Sequence, residues 1–402
     1  VSIAFTARSG DQTDLSMSQP YITLQFLLVG AVNFTLFLVI STWNWLPLFV
    51  VQTGGDKSAA GLVMGAIGVT SLGSLPFLAP LIERHGRRPF IVGGILVMGI
   101  SNAGFLLFNH YSPTMIALRL VQGVAFAACF NGCSTAVVDL VPASHRAQGI
   151  GLFGVSGSLA VAVGPYIGET VLLAWGFGAY FALLVAFGLC GFIASLFLRE
   201  PTPRLASGRL HGFFSTAFHD GHLYMMMTAA VFGSGFAAMN TFFPLYASSL
   251  GLRAGPFFVA YGITLVLVRV FLGALADRMQ RDRLIVFCLG GFGCMLLGTA
   301  QIAVAWHTIA LGLVFGVLQG LSYPAMMARM VDHSSDDSRA VVVALFTGSF
   351  GVGLNASVLV WGYVADLKGI EFVYAVNGVA LFLCALAGAY TSFHGGNRHN
   401  KP

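Results

Sequence analysis

APLIERHGRR at residues 79–88 returns in altered form as GALADRMQRDR at 273–283, and each copy is wedged between two long apolar runs. A soluble core has no use for a charged segment repeated about 194 residues on, whereas two membrane-embedded halves built from one ancestral unit retain it. The rest of the chain keeps the same register. Gln122 and Gly123 recur as Gln319 and Gly320, Asp139 as Asp332, Arg146 and Ala147 as Arg339 and Ala340, Gly168 as Gly362, and Pro47 as Pro244, all in constant order.

Composition agrees with a membrane chain: 57% of the 402 residues are hydrophobic and 9% charged, where a soluble protein carries about 25% charged residues. Apolar stretches of membrane-spanning length fall at 22–51, 59–82, 89–108, 114–138, 149–171, 176–198, 223–248, 255–276, 284–305, 307–331, 340–365 and 372–393. The expected fold is therefore an all-α membrane protein with twelve transmembrane helices in two pseudo-symmetric six-helix bundles. Residues 22–198 form the first bundle and 223–393 the second. The polar stretch 199–222 is the linker between them, and 1–21 and 394–402 are terminal segments.

Lysine and arginine are retained on the cytoplasmic side. With the N-terminus inside, Arg84, Arg87, Arg88, Arg146, Arg199, Arg278, Arg281, Arg329, Arg339 and five further basic residues lie there with Arg283, against Lys57, Arg253 and Lys368 outside. Both termini and the linker are accordingly expected on the cytoplasmic side. The net charge of +5 then reports topology and not a nucleic-acid partner. The first 20 residues lack a basic start followed by a short apolar core, so no cleavable signal peptide is expected. All six cysteines fall inside apolar spans, which implies no disulfide framework. Cys129 and Cys133 are read as packing residues, with no metal and no cofactor expected.

Glu83, Arg84, Gly86, Arg87 and Arg88, the run Arg119, Gln122 and Gly123, and the run Gly164, Pro165 and Gly168 together resemble the motifs of the major facilitator superfamily. The resemblance covers essentially the whole chain and is nearest to the twelve-helix efflux or drug:proton antiporter branch. Ala79 and Glu169 stand where that pattern has glycine. It implies a monomeric multi-pass carrier in the cytoplasmic membrane of a bacterium, with a cavity lined by the first, fourth, seventh and tenth helices.

Two charged clusters are expected at the cytoplasmic ends of the helices. Glu83, Arg84, Arg87 and Arg88 sit in a loop too short to fold alone, so their charges need Asp139 and Arg146 as partners. Asp277, Arg278, Asp332 and Arg339 form the equivalent set. Such clusters either gate the cytoplasmic side, closing in one state and breaking in the other, or serve as fixed topology anchors. Gly164 and Pro165, with Gly168, predict a bend or a close helix contact.

Polar residues deep in spanning helices mark a cavity or interhelical hydrogen bonds. Asn33, Phe37, Ser41 and Asn44 share one face of the first helix, and Arg119, Gln122, Phe126 and Phe130 one face of the fourth. Asn240 and Phe243 on the seventh, Gln319 and Tyr323 on the tenth, Asn355 on the eleventh and Arg269 on the eighth complete the candidate substrate site. No acidic residue occurs in the middle of any span. Proton coupling needs a carboxyl that responds to burial and to nearby charge, and Glu169, beside the Gly-Pro pair and taken to act with Arg119, is the first candidate, with Asp139 second. Arginines, amides and aromatics without a buried carboxylate suit a neutral or anionic amphipathic solute better than a lipophilic cation.

The expected function is secondary active transport of a small organic molecule by alternating access, as proton-coupled efflux. An uptake symporter or uniporter for a sugar, organic acid or siderophore-like solute is the alternative, because fold does not fix direction. An enzyme is disfavoured: HExxH, GxSxG and phosphate-binding GxxxxGK patterns are missing.

Overall fold

The computed structural model describes residues 22–142, 145–200, 222–272, 279–332, 334 and 339–395. Within these, every regular element is helical: α1 Leu24–Thr42, α2 Leu46–Gln52, α3 Lys57–His85, α4 Arg88–Gly104, α5 Thr114–Leu140, α6 Arg146–Leu196, α7 His222–Ser249, α8 Gly255–Leu267, α9 Arg281–Thr299, α10 Ala305–Asp332, α11 Arg339–Lys368 and α12 Ile370–Gly395. In lipid each backbone polar group must be satisfied within its own segment, so helices are the solution open to such a sequence. Ten helical segments are long and apolar enough to cross a membrane, and Gly255–Leu267 is a shorter one. The 49-residue segment Gln148–Leu196 supplies two crossings, which brings the total to twelve.

Three details differ from the sequence reading. The first span is interrupted by a 3-10 turn at Trp43–Trp45, so that α1 and α2 together make one crossing. Between the fifth and sixth spans there is no loop. The chain turns at a single residue, Gly176, whose φ of 76° lies in the left-handed region that a side chain disfavours. The eighth span leaves α-helical geometry at Val268 and continues as a π turn over Val268–Leu272. A second left-handed glycine, Gly86 at φ 93°, ends α3 and aims Arg87 and Arg88 into the turn.

The two halves meet along two seams, α3 against α11 and α6 against α8. Matching contacts on the two seams are 197 residues apart. Ser58 faces Asp366 on one and Gly255 faces Glu169 on the other. Gly65 packs on Leu359 as Gly262 packs on Ala162. The repeat seen in the sequence is thus a repeat in contacts, as a two-fold relation between the halves requires. Glycine is needed at these crossings: a Cβ on Gly61 would stand 2.7 Å from the Val358 carbonyl and 2.9 Å from the Gly362 Cα. Helices in lipid associate through such close packing, since lipid tails remove the hydrophobic drive.

Candidate functional site

At one face of the molecule each seam ends in a carboxylate that caps a helix of the opposite half. Glu169 is only 2% exposed and accepts hydrogen bonds from the backbone N–H of Ala254 (2.9 Å) and Gly255 (3.0 Å) at the start of α8. It also pairs with Arg253 at 3.1 Å. Asp366 accepts from the N–H of Lys57 (2.9 Å) and Ser58 (2.6 Å) at the start of α3. Unpaired N–H groups and the positive end of the helix dipole make both positions favourable for an anion. The sequence reading tied Glu169 to Arg119; the guanidinium beside it is that of Arg253, from the other half.

From these caps the close approaches run down the seams to Ser158 and Gly351, and where they end a cavity of about 450 Å³ lies between the halves. Its lining comes from α1 (Asn33, Phe37), α5 (Phe130, Ser134), α6 (Phe153, Ser158), α8 (Tyr261, Leu265) and the π turn (Arg269), among others. It occupies the part of the bundle nearer Arg87 than Glu169. Phe126 and Phe130 stack at 5.5 Å, and Phe37 meets both edge-on. Arg269 donates to Ser158 Oγ at 2.7 Å. The Asn33 amide nitrogen donates to Ser156 Oγ at 2.8 Å and faces the Phe153 carbonyl at 3.5 Å.

Of the expected substrate residues, Asn33, Phe37 and Arg269 line this cavity and Phe126 backs it. Others lie elsewhere. Arg119 is 2% exposed; it donates to the Val63 carbonyl at 3.2 Å and to Gln122 Oε1 at 2.9 Å, and its guanidinium lies 5.2 Å from the Trp43 ring. Gln122 passes the chain on to Asn102 at 2.9 Å, and Asn102 donates to the Leu184 carbonyl at 3.0 Å. This buried relay ties α3, α4, α5 and α6 together within the first half. Ser41 donates to the Ala160 carbonyl at 3.2 Å, and Asn44 is buried in the 3-10 turn. Asn240 returns to the Phe236 carbonyl at 2.9 Å and Phe243 packs on Phe257 in the core. Gln319 is buried, Tyr323 packs on Phe346 and Phe350, and Asn355 lies in the α3/α11 seam beside Gly68.

Around Gly164, Pro165 and Gly168, α6 stays helical and approaches α1 closely. A Cβ on Gly164 would meet Ser41 and Thr42, one on Gly168 would meet Thr42 and Trp45, and Trp45 Nε1 donates to the Pro165 carbonyl at 2.8 Å.

The charged clusters sit at the opposite face. Arg87 Nε pairs with Asp139 at 2.8 Å, both side chains buried, and Glu200 accepts from the N–H of Arg87 (2.5 Å) and Arg88 (2.9 Å). Glu83 and Arg84 are exposed at the end of α3, and Arg146 is half-buried at the start of α6. In the second half Asp332 pairs with Arg281 and Asp282 with Arg329. Asp277 and Arg278 lie outside the described residues, as does the Arg339 side chain. These four ion pairs and caps each stay within one half. The sequence motifs do not single out Glu200, Arg281 or Asp282 as partners, though an acid directly after the sixth span was the available signal for Glu200.

A twelve-helix membrane bundle, closed along two seams at one face and hollow between its halves, is the architecture of a membrane transport protein. The chain belongs to the Major Facilitator Superfamily, whose family model matches residues 26–311 and 257–394. It is a transporter and not an enzyme. It is similar to the Staphylopine export protein of Staphylococcus aureus, 23% identical over 393 residues that cover 92% of this chain and 95% of that protein. It is also similar to Multidrug resistance protein 2 of Bacillus subtilis, 24% identical over 361 residues covering 84% and 86%. Among solved structures, the nucleoside transporter NupG superposes with a TM-score of 0.74 at 14% identity, covering 91% of this chain and 98% of that one. The peptide transporter POT in complex with sulfate superposes at 0.76 with 12% identity, covering 96% and 99%.

Proposed function

We propose that this transporter exports a small neutral or anionic amphipathic solute in exchange for protons, by alternating access, with the Arg87 face cytoplasmic. The observation that carries the reading is the cavity between halves that touch beside Glu169 and part toward Arg87. In that arrangement the protein is open to the cytoplasm, ready to load an outgoing solute. Both termini and the linker lie on the cytoplasmic side of a bacterial inner membrane, and the protein works as a monomer.

Glu169 carries the coupling proton. As a carboxylate it holds α8 and Arg253 and keeps the outer face shut. Protonated from outside, it loses the charge that both partners favour, so the outer state becomes accessible. Asp139 is the less favoured carrier because Arg87 occupies it. The Arg87, Arg88, Asp139 and Glu200 cluster and its second-half counterpart brace the inner ends within each half, and regroup when the cytoplasmic side closes.

Everted and right-side-out vesicles, assayed with and without an imposed pH gradient, separate the possibilities. Gradient-driven accumulation inside everted vesicles is the expected result. Accumulation confined to right-side-out vesicles would assign uptake.

A further inference from the structure

Arg269 stands at a seam position that the two-fold fold fills with an apolar residue in its other copy. On the other seam the position 197 residues earlier is Leu72, which packs on Gly351. The two-fold architecture therefore closes with a leucine where Arg269 stands. Two other polar groups of the cavity also answer to apolar residues, whereas Ser158 answers to Asn355 and is polar in both halves. Asn33 corresponds to Ala230 and Tyr261 to Met64 at the same spacing. Arg269, Asn33 and Tyr261 thus have no polar counterpart at the equivalent positions, so the two-fold packing does not by itself require them.

The chemistry of that lining is one-sided. Among the described residues, none lining the cavity is acidic, and the hydrogen bond Arg269 makes is to a neutral hydroxyl. Arg269 is itself exposed at the edge of this apolar cavity, and a guanidinium there favours an anion that accepts from its planar donors. Asn33 makes a second demand. It is 1% exposed, its nitrogen is fixed by the Ser156 hydroxyl and the Phe153 carbonyl, which can only accept, and its Oδ1 is buried without a partner. A buried acceptor left empty is costly. Phe37, Phe126 and Phe130 complete the surroundings with ring faces and edges.

We infer that the cavity takes an organic oxyanion with a hydrogen-bond donor and an aromatic or bulky apolar body, the anion on Arg269, the donor on Asn33 Oδ1 and the body among the phenylalanines. The inference rests on reading this cavity as the transport site. The volume of about 450 Å³ is in the range of small-ligand pockets.

N-acetyl-tryptophan is a suitable probe, having a carboxylate, N–H donors and an indole, with N-acetyl-tryptophanamide and tryptamine as its neutral and cationic matches and an indole sulfonate as a second oxyanion. Binding is measured on the full chain in detergent by thermal shift and titration. The expected result is stabilisation by the two oxyanions and not by the amide or amine, with affinity falling about tenfold or more in Arg269→Leu, the residue the other seam carries, and less in Arg269→Lys. Asn33→Leu is expected to weaken the N–H-bearing probe and to leave a donor-free indole carboxylate nearly unchanged. Equal stabilisation by tryptamine or the amide, undiminished oxyanion binding to Arg269→Leu, or no oxyanion binding at 10 mM, taken here as about the useful upper concentration, overturns the inference. A cavity-filling Ser134→Trp separates the two levels: if neutral or cationic ligands bind wild type and are lost in Ser134→Trp, the cavity stands as the site and only the anion class fails. Should ligands bind Ser134→Trp unchanged, the cavity reading fails as well.

Discussion

Glu169 and Asp366 occupy equivalent places 197 residues apart, and each binds the first backbone N–H groups of a helix belonging to the other half. The contacts differ in setting. Glu169 is buried and adds Arg253, whereas Asp366 is exposed. One cap is therefore buried and ion-paired and the other largely solvated.

Glu169→Gln keeps the shape and removes the charge. Loss of a charge-assisted contact of about 1.5–3 kcal/mol is expected to raise the outward-open population about tenfold or more, read as spin-label distances across the outer face. Gradient-driven accumulation should disappear while binding and passive exchange persist. Normal accumulation by this variant would move the proton elsewhere.

Asp366→Asn is expected to be milder, about 0.5–1 kcal/mol, because it loses an exposed helix cap. In a double-mutant cycle with Glu169→Gln the two effects should add to within about 0.5 kcal/mol if the seams open independently. A coupling larger than that would mean that they part as one unit.

Arg119→Lys loses the fork that reaches Val63, Gln122 and Trp43 together. The variant should unfold at lower temperature, by about 1–3 kcal/mol, with ligand affinity nearly unchanged. An affinity loss without destabilisation would return Arg119 to the substrate site.

Arg87→Met or Asp139→Leu alone strands a buried charge and should cost about 3–5 kcal/mol, whereas the double substitution should recover much of it. Thermal unfolding in detergent measures both. A double variant as unstable as the worse single one would place the pair's role outside mutual neutralisation.

The fold was legible because its signals are long: spans of about 20 apolar residues and a repeat that returns both APLIERHGRR and Gln122–Gly123. Local geometry was less so. Gly176 hid the fifth-to-sixth connection because one left-handed glycine replaces a polar loop, and the Trp43–Trp45 turn is as apolar as the helices around it. For the candidate site, helical periodicity placed Asn33 and Phe37 on one face but not which face points inward. Arg119 reads in sequence as a lone charge, and its partners Val63, Gln122 and Trp43 come largely from other segments. Arg253 likewise shows as a loop cation until the fold brings it to Glu169.

Gly61 and Gly362 cross backbone to backbone, so this contact has no interlocking side chains to be re-sorted when one half tilts against the other. It lies near the Lys57 end of α3, which makes α3 a lever with a short arm and a long one. From Gly61 to His85 the long arm is about 36 Å at 1.5 Å per residue, so a 10° tilt moves its tip by about 6 Å. A displacement of about 1 Å at the Lys57 end, where Asp366 caps the helix, therefore corresponds to one about six times larger at the His85 end.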